Sequence, residues 1–259
     1  MITRRSFVEK TIGLVSLPVW MSFTTFNKTF SSSSQEEDLL KIKALLTAKD
    51  PLKWVFAGDS ITQGAKHTMG YRSYPEIFAE RVRWEMKRVR DVVINTAISG
   101  NTSADILKDY EWRVAQFAPA VVFIMIGTND ASVKKEISTD RFRNNIEELV
   151  SRVRQAGGIP VLQTPNIIIT EKATGRERLK DYVPILREVS AAKNTLLVDH
   201  WAYWTEKAKQ TPDEVYGKWM SDELHPNGHG HDEIAKLLFK KLEIFDAGSF
   251  TGSDHFLNG

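Results

Sequence analysis

The 259-residue chain has no cysteine, so no disulfide can staple it and no cysteine is present to carry a lipid. It has no excess of either charge: 35 Lys and Arg face 33 Asp and Glu, a formal net charge of +2 at pH 7. With the basic residues dispersed, composition gives no reason to expect nucleic acid or an anionic membrane surface as partner. The cluster from Arg81 to Arg90 is an exception in density only. Val82, Trp84, Met86 and Val89 lie among its charges, which makes it the polar face of an amphipathic helix. There is no internal repeat, and nothing in the composition points to disorder or collagen-like repetition. What is present, 42% hydrophobic and 26% charged residues, suffices to bury one sizeable core, so one catalytic-sized domain is expected.

The first residues stand apart. Arg4 and Arg5 precede an uncharged stretch from Thr11 to Phe26 that is too short and too interrupted to span a membrane. That is the layout of an export signal. Thr3-Arg4-Arg5-Ser6-Phe7-Val8 is similar to the twin-arginine type, with Lys10 one place later than usual; an ordinary secretory signal or an uncleaved anchor is the alternative. No small-x-small cleavage site stands out. Residues 1–30 are read as the signal and 31–37 as a flexible joint, because Ser31 to Ser34 is followed by Gln-Glu-Glu-Asp. Residues 38–246 are read as the domain and 247–259 as a tail without interpretable pattern, expected to be disordered. The expected location is periplasmic or extracellular in a bacterium, with no stable membrane insertion after signal removal.

Beyond the joint, strand-type segments alternate with helical patterns, the rhythm of a parallel sheet covered on both faces. Trp54 to Ala57, Val92 to Asn95, Val121 to Ile126, Pro160 to Thr164 and Leu196 to Val198 are short runs rich in Val, Ile or Leu, as expected of strands buried on both sides. Ser73 to Lys87, Ser103 to Phe117, Thr139 to Gln155 and Arg178 to Lys193 read as crossover helices, the third patterned by Ile146, Leu149, Val150 and Val153 and closed by Gly157-Gly158. A last helix runs from about His231 to Phe245.

In such a sheet, ligands bind at the carboxyl ends of the strands. Strand one ends in Gly58-Asp59-Ser60-Ile61-Thr62, strand two in Asn95 to Thr102, strand three in Gly127-Thr128-Asn129-Asp130. Ser60 sits where a strand-to-helix turn can present a hydroxyl and its own amide, although a helix-capping serine explains the same position. Asp222 and His225 are three residues apart in a loop before the last helix, close enough for the carboxylate to hold one ring nitrogen while the other accepts the serine proton. A surface His-Pro turn is the plainer reading of the same loop. Gly100 can offer a closely approached backbone amide and Asn129 a side-chain donor, or both can be ordinary turn residues. Asp59 and Asp130 read as loop-holding hydrogen-bond acceptors. His67, His229 and His231 read as exposed or capping because no convincing metal-ligand set surrounds them. Asp199-His200, with Trp201, Tyr203 and Trp204, reads as structural, and Trp219-Met220 as core or cleft lining.

Taken in order, these four loops resemble the blocks of the SGNH hydrolases, also called the GDSL family, over nearly all of Lys53 to Phe245. Ile61 replaces the usual leucine. The resemblance implies a three-layer α/β/α flavodoxin-like fold with a five-stranded parallel sheet of order 2-1-3-4-5. It implies a Ser60, His225, Asp222 triad and an oxyanion hole from Ser60, Gly100 and Asn129. No metal or organic cofactor is implied. Family members cleave acetylated sugars, short-chain esters, thioesters and lysophospholipids with the same blocks, so the fold does not choose the substrate. The reading Gly-Asp-Ser-Ile-Thr-x-Gly looks similar to carbohydrate esterases, and an acetyl ester on a carbohydrate or small molecule is the expected substrate. A lysophospholipase or thioesterase of the same family and a non-catalytic carbohydrate-binding protein on the same fold are the alternatives. No expectation is formed about oligomeric state.

Overall fold

The computed structural model describes residues 34–253, so the export-signal reading of residues 1–30 lies outside the described residues. Five strands, β1 (Lys53–Gly58), β2 (Val92–Asn95), β3 (Val121–Met125), β4 (Ile159–Gln163) and β5 (Leu196–Val198), form one parallel sheet in the order β2-β1-β3-β4-β5. Ten α-helical segments accompany them: α1 (Ser34–Thr47), α2 (Ser60–Gln63), α3 (Tyr74–Glu80), α4 (Ser103–Lys108), α5 (Tyr110–Arg113), α6 (Thr139–Gln155), α7 (Leu179–Ala192), α8 (His200–Gln210), α9 (Pro212–Glu214) and α10 (Gly228–Lys241). None of the described helices is long and apolar enough to cross a membrane.

Strand side chains alternate between two cores. Trp54, Phe56, Phe123 and Val161 face α1, α3, α8 and α10, whereas Val55, Ala57, Val122, Ile124 and Leu162 face α4 to α7. On the first face Phe56 and Phe123 stack with centroids 4.4 Å apart, and Phe78 of α3 meets both edge-on. α6 follows its sequence pattern closely, burying Phe142, Ile146, Leu149, Val150 and Val153, with Ser138 capping its amino end.

Four details differ from the sequence reading. β2 is an edge strand, and Val92 is half exposed. The helix expected over Ser73 to Lys87 changes after Glu80 into a π-turn, Arg81–Glu85. The one expected over Ser103 to Phe117 breaks at Asp109 and Val114, and the break turns Arg113 fully into the interior. The joint over 31–37 is helical from Ser34: Glu36 and Glu37 lie in the first turn, where the helix dipole favours acids, and buried Asp38 receives two hydrogen bonds from Arg154.

At the other terminus the described part of the tail is ordered, because Thr251 is buried and donates from both its amide and hydroxyl to Glu85, at 2.8 and 2.6 Å.

Candidate active site

The turn after β1 is built by Asp59, not Ser60. Asp59 has extended backbone angles and its Oδ1 accepts the Ile61 N–H at 3.0 Å, so it takes the N-cap position of α2. Ser60 becomes the first helical residue and its hydroxyl is released from capping. That Oγ lies 2.9 Å from Nε2 of His225. Nδ1 of His225 lies 2.9 Å from both carboxylate oxygens of Asp222, which assigns the N–H to Nδ1 and leaves Nε2 to accept from the hydroxyl.

The loop that delivers this pair is stiff for its length. Met220 and Pro226 form an antiparallel bridge, and the Ser221 N–H reaches the His225 carbonyl at 2.8 Å. Asp222 Oδ1 also accepts the N–H groups of Leu224 and His225 at 2.8 and 2.7 Å. The segment after β4 braces the outside, through Asn166 Nδ2 to the Leu224 carbonyl and the Ile169 N–H to the Glu223 carbonyl. Partial burial works to raise the Asp222 pKa, but the Leu224 and His225 donors outweigh it and hold the carboxyl below its usual range. The carboxylate is therefore charged wherever the imidazole needs it.

The loops after β2 and β3 meet at the carboxyl edge of the sheet, the edge at which Ser60 follows β1. Gly100 has a φ of 78°, a left-handed conformation that glycine adopts without strain. Asn129 donates from Nδ2 to the Asn101 carbonyl at 3.1 Å, which joins its loop to that of Gly100, and its Oδ1 accepts from Arg176 at 3.1 Å. Asp130 accepts from the amide and hydroxyl of Ser103 at the start of α4. Arg113 crosses beneath, donating to the carbonyls of Thr96 and Gly58 and to Asn101 Oδ1 at 2.7 Å. One guanidinium thus bolts the ends of β1 and β2 together. Its sequence context, a charged residue on a helix, gives no sign of this, and the same holds for Arg176 in the segment before α7.

Two carboxyls are buried under these loops. Burial raises the pKa of Asp59 to about 7, with Asp130 adding like-charge repulsion and Arg176 partly offsetting it. Burial also raises Asp130 to about 6, against the Ser103 hydrogen bonds. Both fit the loop-holding role expected of them.

The histidines sort differently from the sequence reading. His229 is exposed, as expected. His231 is buried, accepts the Tyr74 N–H at its Nδ1, and is pushed by burial down to about 3. His200 is likewise buried, lies 3.0 Å from Gln163 Oε1, and falls to about 3, while Asp199 caps α8 and pairs with Arg187. His67 is neither simply exposed nor a cap: its ring stacks on His225 with centroids 3.6 Å apart and planes 8° from parallel. Its Nδ1 lies 3.1 Å from Asp222 Oδ2. Trp219 and Met220 are core residues, Trp219 packing on Tyr203 and Trp204.

His67, Asp222 and His225 bring three ligand-type atoms within 4.8 Å of one another. The stacking argues against chelation, because a metal lies in the plane of each imidazole that binds it, at about 2.0–2.1 Å for zinc, and two near-parallel stacked planes share no such point.

Residues 56–233 match the GDSL-like lipase/acylhydrolase family. The chain is 27% identical over 208 residues to an acetylxylan esterase of Geobacillus stearothermophilus, covering 73% of this chain and 93% of that one. It is 29% identical over 213 residues to the uncharacterised lipoprotein YqeF of Bacillus subtilis (strain 168), covering 72% and 86%. Among solved structures it is similar to an α/β hydrolase from the metagenome of Lake Arreo, with TM-score 0.64, 23% identity and coverage of 76% and 98%. It is also similar to the structure of the acetylxylan esterase Axe2 from Geobacillus stearothermophilus, with TM-score 0.62, 23% identity and coverage of 79% and 97%.

Proposed function

The chain belongs to the GDSL-like lipase/acylhydrolase family and is a carboxylic ester hydrolase, and from that premise we propose that it removes acetyl groups from oxygen atoms of carbohydrates using Ser60, His225 and Asp222. The observation that carries the reading is the 2.9 Å approach of Ser60 Oγ to His225 Nε2, with Asp222 on the opposite ring nitrogen.

In the proposed reaction Ser60 Oγ attacks the ester carbonyl carbon while its proton passes to His225 Nε2. Asp222 stabilises the imidazolium that forms. The carbonyl oxygen becomes an oxyanion, received by the amides of Ser60 and Gly100 and by Asn129 Nδ2. Collapse breaks the bond to the alcohol oxygen, which takes the proton from His225 and leaves. Water then attacks the acyl-serine, gives a proton to His225, and the second collapse releases the acid and returns the proton to Ser60.

The short acyl group is proposed from the likeness to an acetylxylan esterase. A cavity of about 710 Å³, bounded by Ala44, Leu45, Ala120 and Ile159, sits at the amino ends of β3 and β4, the far end of the sheet from Ser60. That cavity is remote from the hydroxyl, whereas a second space, lined by Ile168, Ile169 and Tyr216, adjoins the segment that braces the His225 loop. The acetylxylan esterase relatives favour a carbohydrate acceptor. Export by the twin-arginine-like segment belongs to the same proposal.

The test compares wild type with Ser60→Ala on p-nitrophenyl acetate and octanoate and on acetylated xylan, with circular dichroism to verify folding. Cleavage of acetate over octanoate, release of acetate from xylan, and loss of all activity in the variant are expected. Turnover retained by Ser60→Ala removes the nucleophile assignment; octanoate cleaved far faster than acetate, with xylan untouched, removes the carbohydrate assignment.

A further inference from the structure

We propose that His67 is a positioning residue for the hydrolysis, a neutral aromatic platform that holds the His225 ring in line with Ser60 and stabilises the imidazolium formed during acyl transfer. The inference rests on the assignment of His225 as the base.

Two contacts converge on it. The His67 ring covers one face of His225 at 3.6 Å, nearly parallel, so the base cannot tilt toward that side without losing its stacking. The same ring places Nδ1 3.1 Å from Asp222 Oδ2, against the carboxylate that orients His225. An imidazole face over an imidazolium is a cation against an aromatic quadrupole, favourable only while the covering ring is uncharged. His67 is kept so: burial depresses its pKa first, then repulsion from His225 and Lys66, against the attraction of Asp222 and Glu223. A charged His67 would compete with His225 for one carboxylate.

The loop that presents His67 is built for it. Lys66 and Met69, on either side, hold left-handed backbone angles, φ 67° and 53°, unusual for residues with side chains. They belong to consecutive turns, closed by the Met69 N–H to the Lys66 carbonyl at 3.1 Å and the Tyr71 N–H to the Thr68 carbonyl at 3.0 Å. The surroundings here are specific: Thr68 is buried, and the Tyr71 side chain packs on Gly228 at the start of α10. The loop is thereby fixed to the helix that follows the His225 loop.

The experiment measures kcat and KM for p-nitrophenyl acetate in the full chain bearing His67→Ala, His67→Leu or His67→Phe, alongside Ser60→Ala, with thermal midpoints recorded. Leucine keeps bulk without an aromatic face; phenylalanine keeps the face without the nitrogen. The expected result is a loss of about tenfold in kcat for Ala and Leu with KM within about threefold of wild type, and recovery by Phe to within about threefold of wild-type kcat. Equal kcat for Leu and Phe, or a loss carried by KM, overturns the platform role even if the Ala variant fails to fold. Should Ser60→Ala keep its turnover, the underlying triad fails instead, so the two failures are distinct.

Discussion

Replacing Asp59 by asparagine isolates the cost of a buried charge beneath the proposed site. Asn keeps an oxygen for the Ile61 N–H, so the cap of α2 survives, while the titration disappears. Asp59 is 1% exposed and its pKa is raised from 3.8 to about 7. A carboxyl whose folded pKa exceeds its unfolded one binds protons more tightly in the native state. Its favourable contribution is complete below pH 3.8 and is lost as pH rises through about 7. At ~1.4 kcal/mol per pKa unit, the whole shift amounts to about 4 kcal/mol, of which about 2–3 kcal/mol falls between pH 5 and pH 8. The stability difference between Asp59→Asn and wild type is therefore expected to grow by about 2–3 kcal/mol in favour of the variant across that interval. Repulsion from Asp130 is already contained in this shift. Equilibrium urea unfolding of both proteins at pH 5, 6, 7 and 8 measures the quantity. Constant contributions of the asparagine cancel in the pH dependence. A difference that stays flat to within about 0.5 kcal/mol would refute the buried-charge reasoning.

Asn129→Ala is expected to lower kcat on p-nitrophenyl acetate by ~10²–10³, the usual loss for one oxyanion donor, and a loss below tenfold would remove it from that role. Because Arg176 reaches the substrate-facing loops through Asn129 Oδ1, Arg176→Ala should cost about tenfold or less, and the double variant should be no worse than Asn129→Ala alone; additive losses would show that Arg176 acts independently. Gly230→Ala should destabilise the protein by about 1–3 kcal/mol in urea unfolding, since its methyl would press on the Trp219 carbonyl and lie 2.6 Å from Pro226 Cβ; unchanged stability would mean that the α10 junction is slack.

The strands were legible because a strand covered on both faces needs an unbroken apolar run, and Val121 to Met125 is buried throughout. The Ser60 turn and the Asp222 to His225 loop each had a plainer reading alone, a helix cap and a surface turn; it was their order with the Gly100 and Asn129 loops, read as a family resemblance, that singled them out. The interruptions at Glu80 and Asp109 were not legible, because apolar spacing continues across each break and periodicity cannot see a change in backbone hydrogen bonding. Nor were Arg113 and Arg176, since a charged residue reads as solvated until the carbonyls that desolvate it are brought from other loops. His67 belongs with them; its partners, Asp222 and His225, lie at the opposite end of the sequence. At α1, serine and acidic residues that suggest a joint are also those that start a helix well, and the buried Asp38 with Arg154 decides between the two.

The guanidinium of Arg113 makes the β1 and β2 loop ends a single casting. Residues on their exposed outer rims, such as Gln63 and Ser99, can be exchanged for others without moving the floor on which an ester carbon would rest. Breadth of acceptor choice across descendants of such a scaffold then demands no reinvention of its chemistry: the rim can diversify while the keystone stays put.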